Sequence, residues 1–230
     1  MLDTLTLILV LVPCLTIAIV FHEVAHGYVA KLLGDPTASE RGRLTLNPIK
    51  HIDPVGTLLV PGGLLLMGAP AFGWAKPVPV NKCRLDNPRF GMMAVAAAGP
   101  ATNFILAGLG AIALGLAAAI FGYPAAGEQN IFYTALSMFL LINIFLGLFN
   151  LLPIPPFDGS HIVGGILPAP LRYYWERIQR FGMVLILGVI GYSWIFGTGW
   201  LDATIVPLVE RAMDLYLHLA DAIAAPFAAN

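Results

Sequence analysis

Charged side chains are scarce in this sequence. Acidic and basic residues together make up 11% of its 230 residues, against about 25% in soluble globular domains. With 58% hydrophobic residues and a mean hydropathy of +0.82, a water-facing surface could not be assembled, so the surplus apolar side chains must face lipid. Cysteine is also sparse. Cys14 falls within an apolar run and Cys83 in a long basic loop, so there is no disulfide framework. A basic stretch ahead of the first apolar run is missing too, because Asp3 is the only charge there. That run therefore reads as a retained span rather than a cleaved signal peptide. The net charge of −1 says nothing about partners, and no nucleic-acid partner is expected.

What is present is a set of long runs without charge: residues 4–21, 90–127, 129–157 and 181–201. A bilayer crossing takes about 20 apolar residues. The runs predict four transmembrane helices, near 5–30, 92–121, 131–151 and 181–200. The fold class is thus an all-α polytopic membrane protein, organised as a single domain over 1–230, with a three-helix core over about 5–160 and accessory helices over about 161–230. Of the twelve Lys and Arg residues, Lys31, Arg41, Arg43, Lys50, Lys76, Lys82, Arg84 and Arg89 follow the first span. Arg172, Arg177 and Arg180 follow the third. With four helices both loops fall on one side, which the positive-inside rule makes cytoplasmic.

Between the first two spans, Arg43-Leu44-Thr45-Leu46 alternates like a strand, and Asn47-Pro48 and Asp53-Pro54 mark turns. The apolar stretch Val55 to Phe72 is interrupted by Pro61, Gly62, Gly63, Gly68 and Pro70. It reads as a hairpin or re-entrant β element that returns through Lys76-Pro77-Val78-Pro79-Val80. Near the other end, Ile205, Leu208, Val209, Ala212, Leu215 and Leu219 form a helical stripe, while Glu210, Arg211, Asp214 and His218 take other positions. That pattern fits an interfacial amphipathic helix over 203–222 better than a fifth crossing.

The first span ends in His22-Glu23-Val24-Ala25-His26. Residues i and i+4 of a helix project from one face, so both imidazoles can reach one metal ion, with the Glu23 carboxylate beside them to take a proton from bound water. Ionisable groups in a membrane helix are costly and mark function; a juxtamembrane polar cap, the bland alternative, does not require this spacing. Catalytic zinc takes three protein ligands and keeps one position for water. Asp158 is the first charge after the uncharged run 129–157. Spans one and three run in the same direction, which brings Asp158 level with the histidines. Pro153, Pro155 and Pro156 break the helix ahead of it.

These residues, with Gly99-x-x-x-Asn103 and Asn150-x-x-Pro153-x-x-Pro156-x-Asp158-Gly159, resemble the site-2 protease family of intramembrane zinc metalloproteases. Gly34-Asp35-Pro36-Thr37-Ala38, Gly42 through Pro48 and His51 through Gly56 look like its compact subgroup without a PDZ domain. The resemblance implies one zinc ion per chain held by His22, His26 and Asp158, with Glu23 as general base and acid. Asn150 matches the family asparagine that steadies the substrate carbonyl, though a helix–helix hydrogen bond is the alternative. Gly99 and Asn103 are assigned to packing. His161, three residues past Asp158, is expected near the site without ligating, and His51 to be structural.

The implied activity is hydrolysis of peptide bonds in or near transmembrane helices of single-span membrane proteins, the reaction of regulated intramembrane proteolysis. It is placed in a prokaryotic cell membrane with the site toward the cytoplasm. An exposed strand within 42–47 or the 55–80 hairpin is the candidate for holding the unwound substrate. Alternatives are a membrane metal-ion transporter, or a non-catalytic scaffold with structural zinc; neither has a use for Glu23. The oligomeric state stays open, a homodimer among the options.

Overall fold

Three of the four apolar runs without charge fold as predicted into long helices. The computed structural model describes residues 4–68, 73–125, 128, 130–199 and 203–227. Helix α1 spans Thr4–Leu32, followed by a short α2 at Thr37–Glu40, α3 at Val60–Leu66, α4 at Pro88–Phe121 and α5 at Ile131–Asn150. The chain continues through α6 at Asp158–Ile166, α7 at Ala169–Gln179, α8 at Gly182–Phe196 and α9 at Val206–Ala224. Of these, α1, α4 and α5 are long and apolar enough to cross a bilayer. The expected fourth span differs. Helix α8 has 15 residues, about 22 Å, short of the ~30 Å hydrocarbon core. It joins α7 at a bend of 65°, so the count reaches four only if that pair is one span. Gly182, the first residue of α8, lies close to Pro155, where a Cβ would stand at 2.7 Å. The end of that expected span, at residue 200, lies outside the described residues.

The chain divides into two compact units, each drawn from separate segments. The first comprises Met1–Ala18, Ala101–Phe149 and Leu201–Asn230. Val10, Cys14, Ala18 and Ile142 form its buried cluster. A polar joint ties three helices together inside it. The Asn103 amide donates to the Ala18 carbonyl at 3.2 Å and to Asn143 Oδ1 at 3.0 Å, and the Asn143 amide donates to the Phe139 carbonyl at 2.9 Å. Polar groups in an apolar bundle need such partners, and Asn103 has the packing role expected of it. The amphipathic helix over 203–222 is found as α9. It buries Val209, Ala220 and Ala224 and leaves Glu210, Arg211, Asp214 and His218 exposed. Tyr216 donates its hydroxyl to the Phe104 carbonyl of α4 at 3.0 Å. Both cysteines are free, Cys14 buried and Cys83 exposed.

The second unit comprises Ile19–Pro100 and Asn150–Trp200. Here the expected hairpin or re-entrant β element is corrected: among the described residues there is no strand. Asp53 caps Pro54–Leu59, accepting from the Val55 and Gly56 amides, and the chain runs on as α3. Pro54 suits the first helical position, where an amide hydrogen has no partner anyway. Residues 73–81 are extended, but Pro77 and Pro79 remove alternate donors. The remaining amides go to separate acceptors: Trp74 to the Gly56 carbonyl, Lys76 to the His51 carbonyl, Val78 to Glu23 and Asn81 to Asp35. No ladder can be built from donors used one at a time. Arg43–Leu46 is likewise unpaired and packs Leu44 against Gly27 of α1. Residues 69–72 of the expected hairpin lie outside the described residues.

Asp35 is the polar anchor of this segment. Its fully buried side chain accepts from the Thr37 hydroxyl, the Thr37 amide at 3.0 Å and the Asn81 amide at 2.5 Å, with Arg84 4.0 Å away. Burial pushes the carboxyl up, but these donors and the guanidinium together outweigh it and hold it below the usual carboxylate range. The stabilisation is complete above about pH 4 and is lost as the pH falls through the folded value. Asp35→Asn is expected to lower the melting temperature of the detergent-solubilised chain by several degrees at pH 7, with the gap from wild type closing in acid. A gap independent of pH would contradict this account.

Candidate metal centre

Helices α1 and α4 meet in a register of four residues. Ala18 meets Asn103, His22 meets Gly99, and His26 meets both Gly99 and Val95. Both sets are spaced one helical turn apart and run in opposite directions along their helices, so one face of α1 lies on one face of α4. His22 and His26 are buried, at 5% and 8% exposure. The His26 Nδ1 lies 2.7 Å from the Val95 carbonyl. A carbonyl can only accept, so Nδ1 carries the proton and donates it, which leaves the Nε2 lone pair facing the centre.

Asp158 arrives from the other side. Helix α5 stops at Asn150, the proline-rich stretch turns, and α6 begins at Asp158, where a carboxylate suits the helix N-terminus. Gly159 makes the fold-back possible, since a Cβ there would lie 2.2 Å from the Leu151 carbonyl oxygen. Asp158 Oδ2 stands 3.1 Å from His22 Nε2 and 3.3 Å from His26 Nε2, and the two Nε2 atoms are 3.0 Å apart. Among the described residues these three form the one group of metal-ligating side chains so close together. Tetrahedral ligand atoms at about 2.0–2.1 Å from zinc lie about 3.3–3.4 Å from one another, so the triangle matches a zinc ion within a few tenths of an ångström. Oδ2 is buried without a hydrogen-bond partner, and the His26 nitrogen beside it presents a lone pair. Facing acceptors call for a cation between them. The donor set fits the metal.

Glu23 follows His22 on the same turn and is half-buried. Its Oε2 accepts from the Val78 amide at 2.9 Å. Asn150, the last residue of α5, is half-buried and belongs to the same unit. His161 does not join the three ligand atoms; its Nδ1 lies 3.5 Å from the Gln179 amide. His51 donates from Nε2 to the Thr45 carbonyl at 2.9 Å, a structural bond.

Sequence reasoning placed Gly99 in helix packing without naming its partners. A Cβ at Gly99 would meet His26 Nε2 at 2.5 Å and His22 Nε2 at 2.6 Å, so its missing side chain is what admits the imidazoles. The Val78 amide at Glu23 and the Val95 carbonyl at His26 were missed, because backbone groups leave no trace in residue identity. Asn143 was missed as well, although an amide inside an otherwise apolar span is itself a signal.

The family model described as peptidase family M50 matches residues 116–189, a stretch that includes Asn150 and Asp158 but not the two histidines. A protein of Bacillus subtilis (strain 168), named "Putative zinc metalloprotease YwhC", is 38% identical over 216 residues, covering 94% of this chain and 93% of its own. A second, of Mycolicibacterium smegmatis (strain ATCC 700084 / mc(2)155), is named "Putative zinc metalloprotease Rip2". It is 32% identical over 167 residues, covering 72% of this chain and 60% of its own. No solved structure matches.

Gly99→Ala tests the close approach. The imidazoles must move by tenths of an ångström, while the Val95 carbonyl resists rotation of His26. Metal content measured by elemental analysis on the purified chain is expected to fall about tenfold at a fixed low free-metal concentration, with helicity unchanged. Full metal occupancy in the variant would refute the constraint.

Proposed function

The chain belongs to peptidase family M50, the site-2 proteases, and from that premise we propose that its zinc is held by His22, His26 and Asp158. The chain is a zinc-dependent metalloprotease embedded in a membrane by several apolar helices. The observation that carries the assignment of ligands is the triangle of ligand atoms, with Asp158 Oδ2 buried and unpartnered beside two imidazole nitrogens. When bound, zinc activates water at neutral pH and polarises the scissile carbonyl.

The chain's own residues supply the rest. The Val95 carbonyl fixes the tautomer and the ring orientation of His26. The Val78 amide holds Glu23 through Oε2, which leaves Oε1 to accept a proton from the attacking water and return it to the leaving amine. Asn150 donates its side-chain amide to the oxygen on which charge develops. The substrate is a single-span membrane protein whose helix must unwind locally to present a carbonyl, as regulated intramembrane proteolysis requires. The clustering of Lys and Arg between Lys31 and Arg89 and between Arg172 and Arg180 supports a cytoplasmic site, and both relatives named above are bacterial.

Glu23→Gln separates chemistry from metal binding. The purified variant is expected to keep about one zinc per chain and to cleave a single-span substrate at least ~100-fold more slowly than wild type. Undiminished cleavage by this variant would remove Glu23 from the mechanism. Absence of zinc in active wild-type protein would remove the whole assignment.

A further inference from the structure

Beside α6 lies a cavity of 330 Å³ between the start of α4, α6 and α7. It falls within the roughly 300–1,000 Å³ range of small-ligand sites. Lys82, Arg89 and Arg172 line it, with His161 and Gln179, and Glu176 is the one carboxylate. That carboxylate is already engaged, because Lys82 Nζ donates to Glu176 Oε1 at 2.7 Å. Arg89 donates from Nε to the Gly165 carbonyl at 2.7 Å and from Nη2 to the Ile166 and Leu167 carbonyls, both at 3.3 Å. It thereby closes the end of α6, with its guanidinium 5.1 Å from the Phe90 ring centroid, and Nη1 makes no hydrogen bond among the described residues. The Arg172 guanidinium, half-buried on α7, makes no hydrogen bond and no salt bridge within 4.0 Å among the described residues, although its charge also reaches Glu176. Three cationic side chains therefore line a cavity with one carboxylate, which leaves the lining with an excess of positive charge.

We infer that this cavity binds the phosphate of an anionic membrane lipid headgroup. Guanidinium groups match phosphate oxygens, and basic pockets between transmembrane helices take anionic headgroups. The surroundings favour a lipid over a free ion. Lys82 and Arg89 stand at the beginning of the apolar α4, and Arg172 precedes the apolar α8. Phe90, Ile166 and Leu171, next in sequence to lining residues or within one position of them, are 57%, 65% and 55% exposed. A cationic cavity whose lining residues have exposed apolar neighbours in sequence suits a molecule that is charged at one end and greasy at the other. Such a headgroup ties α7 and the start of α4 to α6, the helix that opens with Asp158. This assignment does not depend on the protease chemistry.

Native mass spectrometry of the full chain released from detergent tests it, with phosphatidylglycerol and phosphatidylcholine supplied in equal amounts. Phosphatidylglycerol is expected to be retained in preference. Arg172→Gln should weaken that retention by about tenfold. Arg177→Gln, on the same helix but with its guanidinium over the Tyr173 ring, should leave it nearly unchanged. Lys82→Gln frees Glu176 inside the cavity and should also lower retention, which keeps the test available if Arg172→Gln fails to fold. No preference between the lipids, or equal loss in the Arg172 and Arg177 variants, overturns the site. Displacement of the lipid by millimolar inorganic phosphate assigns the cavity to a free anion and overturns the lipid assignment.

Discussion

Three ligand-type atoms held within 3.0 to 3.3 Å of one another in a buried place are the constraint to which the second unit is built. Left alone, such a cluster is unfavourable, because burial strips water from each atom and the His26 nitrogen and the carboxylate oxygen repel. The fold therefore needs both a cation between them and scaffolding that prevents the side chains from swinging apart. The Val95 carbonyl fixes His26, the glycine at 99 lets α4 close over both rings, and the glycine at 159 folds Asp158 back onto the end of α5. None of these three supports is a metal ligand.

The grouping of His22, His26 and Asp158 was legible in the sequence because their spacing is dictated by helix geometry. Only i and i+4 place two imidazoles on one face, and a lone carboxylate after a long uncharged run is conspicuous. The spans α1, α4 and α5 were legible for the same reason, since charge-free runs have few other uses. The β element expected between the first two spans is absent among the described residues because the alternation at Arg43–Leu46 does not by itself imply pairing. Alternation reports which side of an extended chain is buried, whereas pairing requires donors. Pro77 and Pro79 have none, and the Val78 and Asn81 amides are taken by Glu23 and Asp35. The apolar run from Val55 also folded as helix, because Asp53 and Pro54 supply an N-terminal cap that outweighs the scattered glycines.

The fourth span shows another limit of reading by composition. Residues 181–201 carry no charge, but composition does not register that Gly182 must meet Pro155 closely. The close approach lies at the head of α8, where the chain bends by 65° from α7.

The register between α1 and α4 explains why the motif Gly99-x-x-x-Asn103 carries two residues with different chemistry one turn apart. At Asn103 the neighbouring helix presents a backbone carbonyl, that of Ala18, and an amide donor gains from reaching it. One turn along, the neighbour presents two imidazoles, and any side chain on α4 would displace them. One turn further, Val95 presents its carbonyl to His26. A main-chain carbonyl is present at every position, so no choice of side chain at Val95 creates or removes this acceptor. What determines whether His26 offers Nε2 to a metal is how closely and at what height α4 lies on α1. The absence of a Cβ at Gly99 permits the closeness, so helix packing, rather than a dedicated side chain, sets the tautomer of His26.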